Sequence, residues 1–189
     1  MARNNRWDSF TSEQPSHLSV TYHDSVDGFA GLELILKSEQ IAYFRPHQGG
    51  TRIMIRRPGN KFKGYNISET PDQLLSLLGQ PETPDHATAI AKGLLPDEPL
   101  AANRFICSTV SSHDELATGS ALYFRIDGPD VIRESRLERG EAAIVFDDDS
   151  DDPFLFGLQQ SASQLFELAG RPKPKSVRDL QVEPKRPHM

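Results

Sequence analysis

The chain has 189 residues and a mass of 21.1 kDa, and its 27 Asp and Glu against 21 Lys and Arg leave a net charge of −6. The acidic balance excludes a globally basic nucleic-acid binder, and a single cysteine, Cys107, excludes an internal disulfide or a multi-cysteine zinc site. No apolar run approaches the ~18 residues that a membrane-spanning helix needs, so no membrane partner is expected.

In chain order, residues 1–16 are polar and aperiodic and are expected to form a flexible arm without a secretory signal, which points to a cytoplasmic protein. A first β-rich unit is expected over 17–81. Leu32, Leu34 and Leu36 alternate with the period of two that sets apolar side chains on one sheet face, and Ser38-Glu39 supplies a turn. A strand from Ile41 should end at the Gly49-Gly50 turn, and Arg52-Ile53-Met54-Ile55 is rich in β-formers. The polar Arg57–Lys61 loop leads to a short strand, Phe62–Ile67. Thr70-Pro71-Asp72 then places a capping hydroxyl before a proline at the first helical position, and Leu74, Leu77 and Leu78 are expected to face inward. Gly79 and Pro81 end the helix.

Residues 82–103 read as a linker with one short helix, Asp85–Lys92, and a second β-rich unit is expected over 104–172. Its alternation is Leu122, Phe124, Ile126, followed by the Gly128-Pro129-Asp130 turn. Strands begin at Val131, at Ala143-Ile144-Val145-Phe146 and at Phe154–Leu158, and a helix follows a Ser161 cap, with Leu165 and Leu168 inward and Gly170 and Pro172 as stops. Residues 173–189 are rich in proline and basic charge and are expected to be a disordered tail.

The two units match each other. Displaced by 91 residues, Ile41–Pro81 lies over Ile132–Pro172 without a gap, and nine of 41 positions are identical; ordinary amino-acid usage would give about two or three. At an offset of 90 the match continues upstream through Val20/Val110, His23/His113, Asp24/Asp114 and Leu32/Leu122. The expected fold is therefore α+β and β-rich: two tandem pseudo-symmetric units, each a small curled antiparallel sheet with one C-terminal helix. Over residues 41–78 the pattern I-x-x-F-R-P … G-T-x-I … Y-x-I-x-E-T-x-x-x-L-L-x-L-L resembles the small bacterial flagellar FlbD-like family. That resemblance implies a short β-rich unit ending in a helix, in a family of which some members are linked to motility or transcriptional control. The second unit departs from the pattern, with Ala142 in place of Thr51 and Gln160 in place of Glu69.

Charge separates the units. Between Ile41 and Ser68 stand six basic residues, Arg45, Arg52, Arg56, Arg57, Lys61 and Lys63, and no acid; Asp127–Asp152 carries ten acids against three arginines. The loop after the central strand inverts in sign, from Arg56-Arg57 to the run Asp147, Asp148, Asp149, Asp151 and Asp152. Like-charged runs commonly form solvated loops. They can also make complementary surfaces, basic on unit 1 and acidic on unit 2, for a protein partner or for self-association. The leading expectation is a non-catalytic interaction or assembly component, with no enzyme activity, cofactor or metal. The alternative is a nucleic-acid-binding regulator that acts through the basic unit 1, with Tyr43, Phe44, Phe62 and Tyr65 available for stacking.

Other constellations read more simply as structure. The 147–152 run mimics the start of an EF-hand loop, but Asp152 stands where the turn glycine belongs and Leu158 where the bidentate Glu belongs. The repeated His-Asp pairs, His23-Asp24 and His113-Asp114, suit turn capping better than metal ligation. Cys107, within Phe105-Ile106-Cys107, reads as a buried small side chain.

Overall fold

A computed structural model of the chain describes residues 15–23, 29–80, 104–113, 116–134, 141–147 and 153–169. Nearly all of the arm expected over 1–16, the linker and short helix expected over 82–103, the tail expected over 173–189, Asp24, Asp114, Gly140, Gly170 and the acids Asp148, Asp149, Asp151 and Asp152 lie outside the described residues.

The described residues form a β-rich fold with a large antiparallel sheet and two helices. The strands are β1 (His17–Thr21), β2 (Glu33–Lys37), β3 (Ile41–His47), β4 (Gly50–Arg57), β5 (Lys61–Ile67), β6 (Phe105–Ser112), β7 (Ala121–Arg125), β8 (Val131–Glu134), β9 (Ala142–Phe146) and β10 (Phe154–Leu158). The helices are α1 (Pro71–Leu77), which follows β5, and α2 (Ala162–Leu168), which follows β10. Eight strands share one sheet in the order β5-β4-β3-β7-β6-β10-β9-β8, and β1 and β2 pair as a hairpin of their own. The hairpin is fastened to β5 by the Tyr22–Ile67 bridge, by the Ser68 amide donating to the Thr21 carbonyl at 2.8 Å, and by the Thr21 amide donating to both Glu69 carboxylate oxygens at 3.0 Å.

This corrects the expectation of two separate small sheets. β3 of the first half pairs directly with β7 of the second, Tyr43 opposite Phe124 and Phe44 opposite Tyr123, so one sheet crosses the middle of the chain. The physical reason lies in β3, whose neighbouring residues are apolar on both faces. Phe44 points into a core with Ile41, Ile53, Ile55, Ile67 and α1, while Ala42 and Tyr43 join the other core, with Phe124, Phe146, Phe156 and α2. A strand buried on both faces belongs inside a sheet rather than at its edge.

Local signals in the sequence act as chemistry dictates. Gln48 and Gly49 both have positive φ, 48° and 82°, so the β3–β4 hairpin closes on a two-residue turn of the kind that matches strand twist. Thr70 and Ser161 each cap a helix, accepting from the amides of Gln73 and Gln164, whose side chains accept in return from the cap amides. In α1 the inward stripe is Leu74, Leu75 and Leu78; Leu77, expected to face inward, is 43% exposed. At 100° per residue, 74, 75 and 78 span one arc of the helix and 77 falls outside it.

Two features had no sequence signal of their own. Gln80, buried just past α1, holds the Phe105 backbone with both ends of its amide: Nε2 donates to the carbonyl at 2.6 Å, and Oε1 accepts from the amide at 2.8 Å. The start of β6 is thereby pinned beside the first helix, and Phe105 enters the first core. The other feature is the β3–β7 pairing, which joins the halves; β6, beside β7, carries Cys107, which is buried as its apolar run implies.

Hydrogen-bond frames relate the two halves by offsets that differ from those in the aligned sequence. The Tyr22 amide and carbonyl bond Leu32 and Gly31, and Val110 bonds Ser120 and Gly119 in the same way, 88 residues on rather than 90. From β4 onward the offset is 91: Ile53 faces Tyr65 as Ile144 faces Phe156, and both caps follow suit. The change of offset arises because the stretch from Glu134 to its partner Ala142 is three residues longer than that from Pro46 to its partner Thr51.

Candidate interaction surfaces

Strand alternation divides the six basic residues between two faces. Arg45 and Arg52 are cross-strand neighbours on β3 and β4, and Arg56 follows along the same face of β4. On that face Arg52 lies over Gly64, where a Cβ would stand 2.7 Å from the guanidinium, and donates to Asn66 Oδ1 at 2.9 Å. Arg57, Lys61 and Lys63 belong to the opposite face. Arg57 and Lys61 are paired across β4 and β5, Arg57 donates to the Tyr65 hydroxyl at 2.6 Å, and the Lys63 ammonium lies 5.2 Å from the centre of the Tyr65 ring. The side chains proposed for stacking are structural: Tyr43 and Phe44 are buried, and Phe62 packs edge-on against Phe154 and Phe146.

Arg56 turns toward the second half of the chain. Its Nη2 meets Asp130 Oδ2 at 2.8 Å and the Gly128 carbonyl at 3.3 Å, and its guanidinium stacks 4.8 Å from the centre of the Phe62 ring. Asp130 also accepts from the Asp147 amide at 2.8 Å. Partial burial pushes the Asp130 carboxyl up, but the Arg56 hydrogen bond, the Asp147 amide and the Arg56 charge together outweigh it and hold the group below the ordinary carboxylate range. Part of the basic–acidic complementarity seen in the sequence is thus satisfied inside one chain. Of the five acids assigned to the acidic surface, Asp147 is described and is exposed.

A second charged contact crosses the β3–β7 seam. The Arg125 guanidinium lies 4.5 Å from the centre of the Phe105 ring and donates to the carbonyls of Ser38 at 2.7 Å and Glu39 at 3.3 Å, in the single 3-10 turn Ser38–Gln40 that precedes β3. Burial lowers its pKa, against the opposing pull of Asp127 and Glu39, yet an arginine remains charged.

The residues that sequence reasoning missed stand on the outer strands. Ile35 on β2 is 64% exposed and Val131 on β8 is 45% exposed, with Leu32 and Phe29 also open beside β2. The signal was the unbroken triplet Leu34-Ile35-Leu36, which departs from the alternation of the strand around it. Among the described residues, β2 and β8 each pair on one side only. Among the described residues neither His23 nor His113 belongs to a cluster of metal-ligand type; His113 stacks on Phe156 with centroids 4.4 Å apart. No described helix is long and apolar enough to cross a membrane.

Comparison with known proteins returns no match to a protein family, a curated protein or a solved structure.

Proposed function

We propose that the protein is a non-catalytic interaction component of an assembly, built from a doubled β-rich unit whose first half offers basic residues and whose second half offers acidic ones. The observation that carries this reading is the pair of outer strands, β2 and β8, each bearing a large exposed apolar residue beside backbone that is unpaired among the described residues. Edge strands of that kind are templates for another chain, and isolated proteins usually blunt them with charge or proline.

Several observations support the doubling. Both halves run through the same succession, an outer hairpin, a strand returning beside it, then two more strands: β2-β1 fastened to β5-β4-β3 in one, β7-β6-β10-β9-β8 in the other. Both helices begin with the same reciprocal cap, and Glu69 and Gln160 each accept from the amide of an equivalent threonine, Thr21 or Thr109.

The experiment is site-specific photo-crosslinking in the native cell, with a photoreactive side chain at Lys63 or at Leu32. The reading expects discrete protein adducts. A nucleic-acid adduct at Lys63 would favour the second reading, a regulator binding nucleic acid through the first half. That alternative draws on Arg57, Lys61 and Lys63, which share one face of β4 and β5, and requires binding that weakens steeply with salt. No adduct of either kind contradicts both.

A further inference from the structure

The described residues contain one closed seam and, at equivalent positions, the two halves of a second seam that none of them closes. In the closed seam β3 pairs with β7. The 88-residue frame places Leu36 of β2 where Phe124 stands in β7, and Ile35 where Tyr123 stands. For the other strand, Phe44 of β3 pairs with Ile53, and Ile132 of β8 pairs with Ile144, the residue equivalent to Ile53. Ile132 is therefore the counterpart of Phe44, and Val131 that of Tyr43.

The exposures follow from this correspondence. Tyr43 is 4% exposed in the closed seam, whereas its counterpart Val131 is 45% exposed. Tyr123 stacks on Phe44 with centroids 4.8 Å apart and planes 4° from parallel; its counterpart Ile35 is 64% exposed. The polar part of the seam is matched as well. Arg125 reaches across to the turn that leads into β3, and its counterpart at the end of β2 is the exposed Lys37. The residue of the turn before β8 that corresponds to Glu39 is the exposed Asp127, so opposite charges stand ready at the two open edges.

We propose that β8 of one copy pairs antiparallel with β2 of a second copy, Val131 opposite Leu36 and Ile132 opposite Ile35, repeating between molecules the seam that joins the two halves within one. This deepens the assembly reading and rests on it; the occupant of the open edge is another copy of the same chain. Main-chain bonds along the edge give affinity, and the apolar cross-strand pairs give register. Because the two contacting surfaces differ, the contact is head to tail, and successive copies either close a ring or extend a filament.

The test uses the full chain with Ile35→Lys or Val131→Lys. Both positions are exposed, and thermal melts verify that each variant folds. Light scattering of the wild type should show mass rising with concentration, and each variant alone should dissociate with at least about a tenfold higher dissociation constant. Mixing the two variants is decisive: the intact β8 of Ile35→Lys meets the intact β2 of Val131→Lys, giving a one-to-one pair that grows no further. As a second arm, Lys37→Asp should weaken association and Asp127→Lys in the same chain should restore it. A wild type that stays monomeric at every soluble concentration overturns the inference, as do single variants that associate like the wild type or a mixture that forms no pair. A monomeric wild type that still gives protein adducts at Lys63 sinks self-association alone; the loss of all protein adducts sinks the assembly reading beneath it.

Discussion

The two cores of the molecule are closed in different ways. The first gathers Leu18, Val20, Ile41, Ile53, Ile55 and Ile67 with Phe44 and Tyr65 under the leucines of α1, and takes one buried side chain from the second half, Phe105. In the second, a whole wall is borrowed: Ala42, Tyr43 and Met54 from the first half lie against Phe124, Phe146 and Phe156, with Tyr43 4.9 Å from Phe146 and 5.1 Å from Phe156 between ring centroids. A unit that borrows a wall from its neighbour is not independent of it, whatever its sequence looks like alone.

The largest expected effect comes from removing that wall. Tyr43→Ala should cost about 3–5 kcal/mol, the usual range for a large buried aromatic, and should lower the melting temperature of the whole chain in one transition. Two separate transitions, with the first core unaffected, would mean that the cores are independent. Next in size is the Gln80 clamp. Gln80→Ala removes both hydrogen bonds that the side chain makes to the Phe105 backbone, at a cost of about 1–3 kcal/mol, measured by chemical denaturation. Thr70→Ala and Ser161→Ala should each cost about 1 kcal/mol, and near-equality of the two values would sharpen the likeness of the helices.

The smallest effect is electrostatic. Asp130 and Arg56 are partly exposed, so Asp130→Asn should cost less than about 1 kcal/mol near neutral pH. The Asp130 carboxyl is lowered in the folded state, so its contribution is present above the unfolded value of about 3.9 and is lost as pH falls through the lower, folded one. Denaturation curves of wild type and Asp130→Asn should therefore differ at pH 7 and converge well below pH 4; a difference that persists in acid would show that the carboxylate charge is not its source.

Much of the fold was legible because period, turn residue and cap agreed locally. The alternation of Leu34 and Leu36 (Leu32, counted with them, lies just before β2 and is exposed), the glycine turn after β3 and the Thr70 and Ser161 caps each specify an element without reference to the rest. What was not legible depended on distant partners. Nothing near Tyr43 distinguishes a residue on the face of a small sheet from one buried in a second core, and nothing near Gln80 foretells a partner at Phe105. The basic run illustrates the same limit: six like charges in 28 residues suggest one surface, yet the strand period sends Arg57, Lys61 and Lys63 to the face opposite Arg45, Arg52 and Arg56, and Arg56 to Asp130. The outer strands were partly legible, since Ile35 interrupts an alternating pattern, but its significance required the counterpart at Tyr123.

Residue-resolved hydrogen exchange at low and high protein concentration tests most directly whether the internal seam is repeated between molecules. Protection should rise with concentration at backbone amides of β2 (33–37) and β8 (131–134) and stay constant in β3 and β7, already paired within the chain. Unchanged protection in both outer strands, or a rise confined to other strands, would contradict the account.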